Sequence, residues 1–292
     1  MLDTAGIWRV EAQDGPRAER LAAGKPVSEA RDLLGRVFNL CRAAQTAGFD
    51  IATGRAAEIT AVAAELRRDH LMQIFMAWPR ALGLTPRFER DWLTDDQAAL
   101  VALFGPTARA PRNDFEMAGF LGSEDGVGPL LHLIGEIFGP GTATADGLAL
   151  VDAETAFRAV PVENSPAARQ AAHPALSYVE AMYGRGPLWR AAGRVLDLAA
   201  ILEGQPPRPV TAPVGCAIVP APRGYYALSV EMVDGHVKTL ARVTPTDHML
   251  APGGALEAML SRLPPDRAML LPVLMTLVDP CRPLNVEVTA RA

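Results

Sequence analysis

The strongest periodic signal in the chain runs from Arg55 to Trp78. There Ile59, Val62, Ala63, Leu66, His70 and Ile74 recur at helical spacing and Pro79 follows. This predicts an amphipathic helix with His70 on its buried stripe, stopped by the proline. A second helix is predicted from Val27 to about Phe49, with Leu33, Leu34, Val37, Leu40 and Cys41 along one side and Ser28 as its N-cap. Cys41 then lies on that helix or at its end, facing inward. Between Thr85 and Pro161 shorter helical pieces, Gln97 to Phe104 and Leu130 to Phe138, alternate with Gly-Pro turns. Two more helices are predicted from Pro166 to Tyr183 and from Pro187 to Leu202, each with proline at a permissive first turn.

Strand patterns are fewer. GIWRVEAQDG places Ile7, Arg9 and Glu11 opposite Trp8, Val10 and Ala12, a short strand entering a turn at Asp14-Gly15. The proline-rich run Gln205 to Pro213 marks a boundary. Beyond it Gly215 to Val219 and Tyr225 to Val233 read as strands, Asp234-Gly235 as a hairpin turn and His236 to Val243 as the returning strand. A helix from Gly254 to Leu263 and another ending near Val278 complete the pattern.

Composition agrees with helix packed on helix. Hydrophobic residues make up 49% of the 292 residues and aromatics 6%, with Ala and Leu abundant. We therefore expect an α+β, predominantly helical fold. Without a linker to divide it, the chain reads as a single domain over 1–292, helical through 204, with the hairpin and C-terminal helices in 214–292. The formal charge is −5 and the basic residues are scattered, so neither DNA nor RNA is an expected partner. Three cysteines argue against a disulfide framework, and the amino terminus lacks the basic start and apolar run of a signal peptide. A cytoplasmic, reducing location is expected. The most apolar run, Ala268 to Val278, is interrupted by Pro272 and falls short of the roughly 20 residues that cross a bilayer, so no membrane insertion is expected.

Chemistry concentrates where the hairpin begins and where the last helix ends. APRG spans Ala221 to Gly224, a Pro-Thr pair stands at Pro245 and Thr246, and Asp279-Pro280-Cys281 follows. That order resembles the C-terminal third of the nickel-iron hydrogenase large subunit, whose metals are held by R-x-C-G-x-C near the start and D-P-C-x-x-C-x-x-H at the end. Against the first motif this chain reads Arg36-Val37-Phe38-Asn39-Leu40-Cys41, with Phe38 in place of one thiolate. Against the second, Leu284 and Glu287 stand where the other cysteine and the histidine fall. The helix with Asp69-His70, the segment PVENSPAAR from Pro161 to Arg169, and GIWRVEAQDG are also similar to family segments, so the resemblance reaches both ends of the chain. Ala5 and Ile7 occupy the places of the family's proton-conducting Glu and of a His, and the family's central insertions and cleaved C-terminal extension have no counterpart.

The resemblance implies a large-subunit-like fold that holds one thiolate from each pair, Cys41 and Cys281. It further implies that Arg223 and Thr246, with Pro222 and Pro245 beside them, serve the cyanide ligands of an iron-dicyanide-carbonyl unit, Fe(CN)2CO. Two of four thiolates do not make a nickel site, whereas low-spin iron with three diatomic ligands needs only one or two more donors for a transient complex. Arg223 is expected to lower the pKa of a nearby thiol. This pattern is similar to the HupK-type accessory proteins of hydrogenase maturation. It implies a non-enzymatic scaffold with a HypC-type small chaperone, other maturation proteins and the large-subunit precursor as partners. An alternative is a metal-free mimic of the large subunit that binds the assembly chaperones; an active hydrogenase is the third reading, against which the missing thiolates speak.

Structural roles compete with each of these. Cys41 reads equally as a small core residue, Cys216 as packing beside the hairpin, and His70 as a core histidine bonded to a carbonyl. His132, His173, His236 and His248 show no ligand spacing. Glu163 is a candidate ion-pair partner of Arg169, and Arg223 could be a clamp.

Overall fold

The computed structural model describes residues 2–4, 8–13 and 17–288; the turn expected at Asp14-Gly15, and Ala5 and Ile7, lie outside them. Strands β1 (Leu2–Thr4) and β2 (Trp8–Ala12) lead into helices α1 (Ala18–Ala22) and α2 (Val27–Val37). The helix expected to run from Val27 to Phe49 is broken. Phe38 leaves helical geometry at φ −111°, a 3₁₀ turn covers Asn39–Cys41, and α3 (Arg42–Ala52) starts afresh. Its N-cap is Cys41, and two of its first amides, from Ala43 and Ala44, donate to Glu65 at 2.7 and 3.1 Å. A carboxylate from another helix satisfies the orphan donors, so the break costs little. Pro26, not Ser28, caps α2, without a side-chain bond.

Helix α4 (Ile59–Met72) continues through a π turn (Gln73–Ala77) into α5 (Trp78–Ala81). Pro79 therefore does not end the helix. It removes the amide that Phe75 O would accept, and the wider π turn lets that carbonyl accept instead from Arg87 N at 3.2 Å.

Helices α6 (Asp96–Phe104), α7 (Asp114–Leu121) and α8 (Gly128–Phe138) follow, the first two capped by Asp95 and Asn113. The expected helix from Pro166 to Tyr183 is two: α9 (Pro166–Arg169) and α10 (Pro174–Tyr183), because Pro174 forces His173 into extended geometry. Helix α11 (Pro187–Leu202) runs over the full span its pattern predicts and is buried along most of its length. It approaches α9 so closely that a Cβ at Gly193 would stand 2.3 Å from Ala167 Cβ.

Strands β3 (Cys216–Ala221), β4 (Gly224–Val233) and β5 (His236–Val243) form an antiparallel sheet in that order. Ala221 pairs with Gly224, so Pro222 and Arg223 alone make the first turn. Helices α12 (Pro245–Met249), α13 (Ala255–Ser261) and α14 (Leu271–Val278) lead to a last strand, β6 (Leu284–Val288). The pattern did not predict β6. It pairs antiparallel with β2, from Trp8↔Val288 to Ala12↔Leu284, and so ties the two ends of the chain together.

Two clusters carry most of the burial. One packs Trp8, Trp78, Trp189 and the central helices; the other sets α1 to α3 against the hairpin through Leu34, Phe49, Val219 and Tyr226. Each fully buried large side chain contributes about 2 kcal/mol.

Candidate functional site

The turn at Pro222 and Arg223 is held from below. Gly224 sits at φ +145°, and a Cβ there would lie 2.4 Å from Asn164 Oδ1, so this position needs glycine. Asn164 brackets the next residue: its Oδ1 accepts from Tyr225 N at 2.6 Å and its Nδ2 donates to Tyr225 O at 2.8 Å. Nδ2 also lies 2.9 Å from Nδ1 of His248, whose Nε2 donates to Arg158 O at 2.9 Å. Arg169 Nη1 then donates to both ends of the turn, Ala221 O at 3.1 Å and Gly224 O at 2.9 Å.

Arg169 is itself fixed by Asp197. That fully buried carboxylate accepts from Arg169 Nε at 3.0 Å and Nη2 at 2.6 Å, from Gln170 Nε2 at 3.1 Å and from His70 Nε2 at 2.8 Å. Burial opposes its ionisation, but the Arg169 charge and these bonds win and hold it far below the ordinary carboxylate range. Burial lowers the pKa of His70, which stays neutral with its proton on Nε2. His70 is thus a core histidine whose partner is a carboxylate rather than a carbonyl. Glu163 does not meet Arg169; it pairs with buried Arg190.

A second chain of charge orients the turn residue. Asp69 meets Arg194 at 3.4 Å, Arg194 meets Asp279 Oδ2 at 3.1 Å, and Arg223 Nη2 donates to Asp279 Oδ1 at 3.1 Å. Arg223 Nε also donates to Asp279 O at 2.9 Å. Asp279 can offer both groups because it ends α14 in left-handed geometry at φ 54°. Two nitrogens of Arg223 are spent on this clamp, and Nη1 makes no bond among the described residues.

Above the turn opens a cavity of about 460 Å³. Cys41, Cys281, Arg223, Pro222 and Pro245 all line it, so residues expected from opposite ends of the sequence share one chamber. Thr246 lies just behind, buried, its hydroxyl accepting from Cys281 N at 2.9 Å. It positions the cysteine backbone, and Thr244 supplies the hydroxyl at the wall, 3.9 Å from Cys281 Sγ. Cys216 is in β3, away from the chamber.

The thiols differ. Cys281 is exposed. Cys41 is half-buried, with Gln45 Nε2 donating to its sulfur at 3.8 Å. Burial and then the charge of Glu65 push its thiol up to about 11, against the smaller opposing effects of Gln45 and Arg223. The expectation that Arg223 makes a thiolate is corrected here: its influence has the expected sign and is outweighed. A helix N-terminus ordinarily favours thiolate, but at α3 Glu65 has taken that role.

Phe38 and Leu284, at the places of the two missing thiolates, have structural tasks. Phe38 lines the chamber with the Arg242 guanidinium 4.1 Å from its ring centroid, and Leu284 opens β6 opposite Ala12. Such a donor set does not fit nickel held by four thiolates. Among the described residues no three His, Cys, Asp or Glu side chains gather in a metal-holding group.

Sequence reasoning missed Arg194 and Asp197. Their signal was present: two charged residues three apart inside the apolar run of α11. It also missed Tyr226 and Arg242, which line the chamber from the hairpin and carry no motif.

The fold and this chamber define a nickel-iron hydrogenase large-subunit-like protein. The nickel-iron-selenium hydrogenase of Desulfovibrio vulgaris Hildenborough in its reduced state aligns over 96% of this chain and 97% of that chain, with 13% identity and a TM-score of 0.57. The reduced, active nickel-iron-selenium hydrogenase of Desulfomicrobium baculatum aligns over 96% and 98%, with 12% identity and a TM-score of 0.53. At such identity the likeness is one of fold. A curated relative narrows it: the hydrogenase expression/formation protein HupK of Rhodobacter capsulatus is 41% identical over 273 residues, 93% of this chain and 90% of that protein. The chain belongs to the HupK family of hydrogenase expression/formation proteins. No protein-family model matches it. Among the described residues no helix is long and apolar enough to cross a membrane.

Proposed function

We propose that this protein is a non-enzymatic accessory of nickel-iron hydrogenase maturation that receives or shields the Fe(CN)2CO unit before it enters the large subunit. One observation carries this reading: Cys41, Cys281 and Arg223 meet in a single chamber while the positions of the other two thiolates hold apolar side chains. The cargo brings three strong ligands of its own, so two sulfurs suffice to hold it for a time. The remaining Arg223 nitrogen suits a cyanide nitrogen, and binding would release the Cys41 proton. A HypC-type chaperone as donor, the large-subunit precursor as acceptor and a cytoplasmic setting are parts of the same proposal.

Protein purified from a strain with active hydrogenase maturation should show cyanide and carbonyl infrared bands, lost in the C41A/C281A double variant. Consistent absence of those bands from the wild-type protein would end the cargo reading.

The protonated state of Cys41 favours a second reading, a metal-free large-subunit mimic that engages assembly chaperones. In that case the double variant supports hydrogenase maturation as well as the wild type does.

A further inference from the structure

A second cavity, an open groove of about 1010 Å³, shares no lining residue with the chamber. One wall is built on the π turn. Phe75, inside that turn, packs on Trp92 with ring centroids 4.4 Å apart, and Phe88 meets Trp92 edge-on at 5.8 Å. Phe75 O accepts from Arg87 N at 3.2 Å and Trp92 O from Arg67 Nε at 2.8 Å, so this wall is fastened before anything binds. Helices α5, α6 and α8 contribute Pro79, Val101 and Leu130. Leu84 and Val101 are left 45% and 43% exposed along it.

Apolar side chains open to water in a preformed groove point to a binding surface. Backbone chemistry narrows the occupant. The walls are mainly helical and offer no strand edge, so an extended peptide would leave its own amides and carbonyls unpaired. A helix satisfies its backbone internally and can lay apolar side chains at i, i+3, i+4 and i+7 into such a groove. Charge narrows it further. Glu89 pairs with Arg87 and Asp96 with Arg67. In the segments that lead into the walls, Asp91, Asp95, Glu124 and Asp125 are exposed and form no ion pair among the described residues, against Arg80 and Arg90 in the same condition. This surplus of negative charge favours a cationic partner and disfavours a second copy of this chain, which would bring the same carboxylates to the same face.

We propose that the groove is a docking site for an amphipathic, positively charged helix of another protein. The proposal does not depend on the cargo reading, and a helix seated here does not occupy the chamber.

The probe is a synthetic helix of leucine and lysine about four turns long, with a glutamate-for-lysine copy as control, titrated against the full chain by fluorescence anisotropy. The lysine peptide should bind saturably and the glutamate peptide about tenfold or more weakly. L84D/V101D should lose about tenfold or more of the lysine-peptide affinity. Its added charges would strengthen a purely electrostatic association, so that loss identifies the apolar groove. D91K/E124K, which changes only exposed and unpaired carboxylates, should weaken the lysine peptide similarly and keep the wild-type melting temperature. No saturable binding by the wild type, undiminished binding by either variant, or equal binding of the glutamate peptide would overturn the inference. Self-association of the wild type in sedimentation velocity, abolished by L84D/V101D, would also overturn it, since a second copy would then fill the groove.

Discussion

At the scale of single residues, the two chamber cysteines are chemically unequal although the same motif logic selected both. Cys281 is exposed just past the end of α14, whereas Cys41 sits under the helix turn with its thiol pushed up to about 11 by burial and by Glu65. The thiolate is the reactive form, so iodoacetamide at pH 8 should alkylate Cys281 well before Cys41, an order that mass spectrometry of peptides quenched over time will read. Glu65→Gln should narrow the gap by removing the nearer negative charge. None of this was legible in the sequence. The spacing that aligned Cys41 with a family thiolate says nothing about a carboxylate 24 residues away, and only the fold brings Glu65 onto the first amides of α3.

At the scale of elements, the hairpin turn is held by a buried network rather than by its own residues. Asp197 of α11 joins His70 of α4 and Arg169 of α9, and Arg169 clamps both strands at Ala221 and Gly224. Removing one member leaves charge buried and unpaired, so Asp197→Ala should cost about 3–5 kcal/mol in a denaturant melt. The same network sets an acid limit. His70 titrates below its ordinary 6.5 in the folded chain, so the unfolded chain takes up a proton that the folded one refuses, and stability falls as pH drops below 6.5. Asp197, ordinarily near 3.8, is lowered by folding, and its contribution is present above that value and lost as pH falls further. Denaturant midpoints followed from pH 8 down to pH 2 should decline first below pH 6.5 and again below pH 3.8. Legibility was good here for element existence: α11, α14 and the three-stranded hairpin sheet fall close to their patterned spans. It failed where backbone groups found distant partners, as when Arg87 took the carbonyl that Pro79 could not bond and let the helix continue.

At the scale of the whole molecule, β6 on β2 closes the chain and fixes where Cys281 can stand. Trp8 and Val10 of β2 are buried in the helical core, and β6 runs along their whole strand. Removing residues 284–292 should therefore lower stability by about 2–4 kcal/mol in thermal or denaturant unfolding, through lost strand pairing and lost cover over β2. An unchanged unfolding midpoint would show that β6 contributes no such closure.

The sequence by itself determined the helical class and the hairpin, because periodicity and turn chemistry are local and survive without neighbours, while the order of its hydrogenase-like segments was carried by resemblance to the family. That resemblance also implied which of the family's thiolates have no counterpart here. Tertiary structure alone decided that Cys41 and Cys281 share a chamber and that Arg223 spends two nitrogens on Asp279. Those outcomes depend on burial and on charges far apart in the chain, and such quantities exist only once the chain has folded.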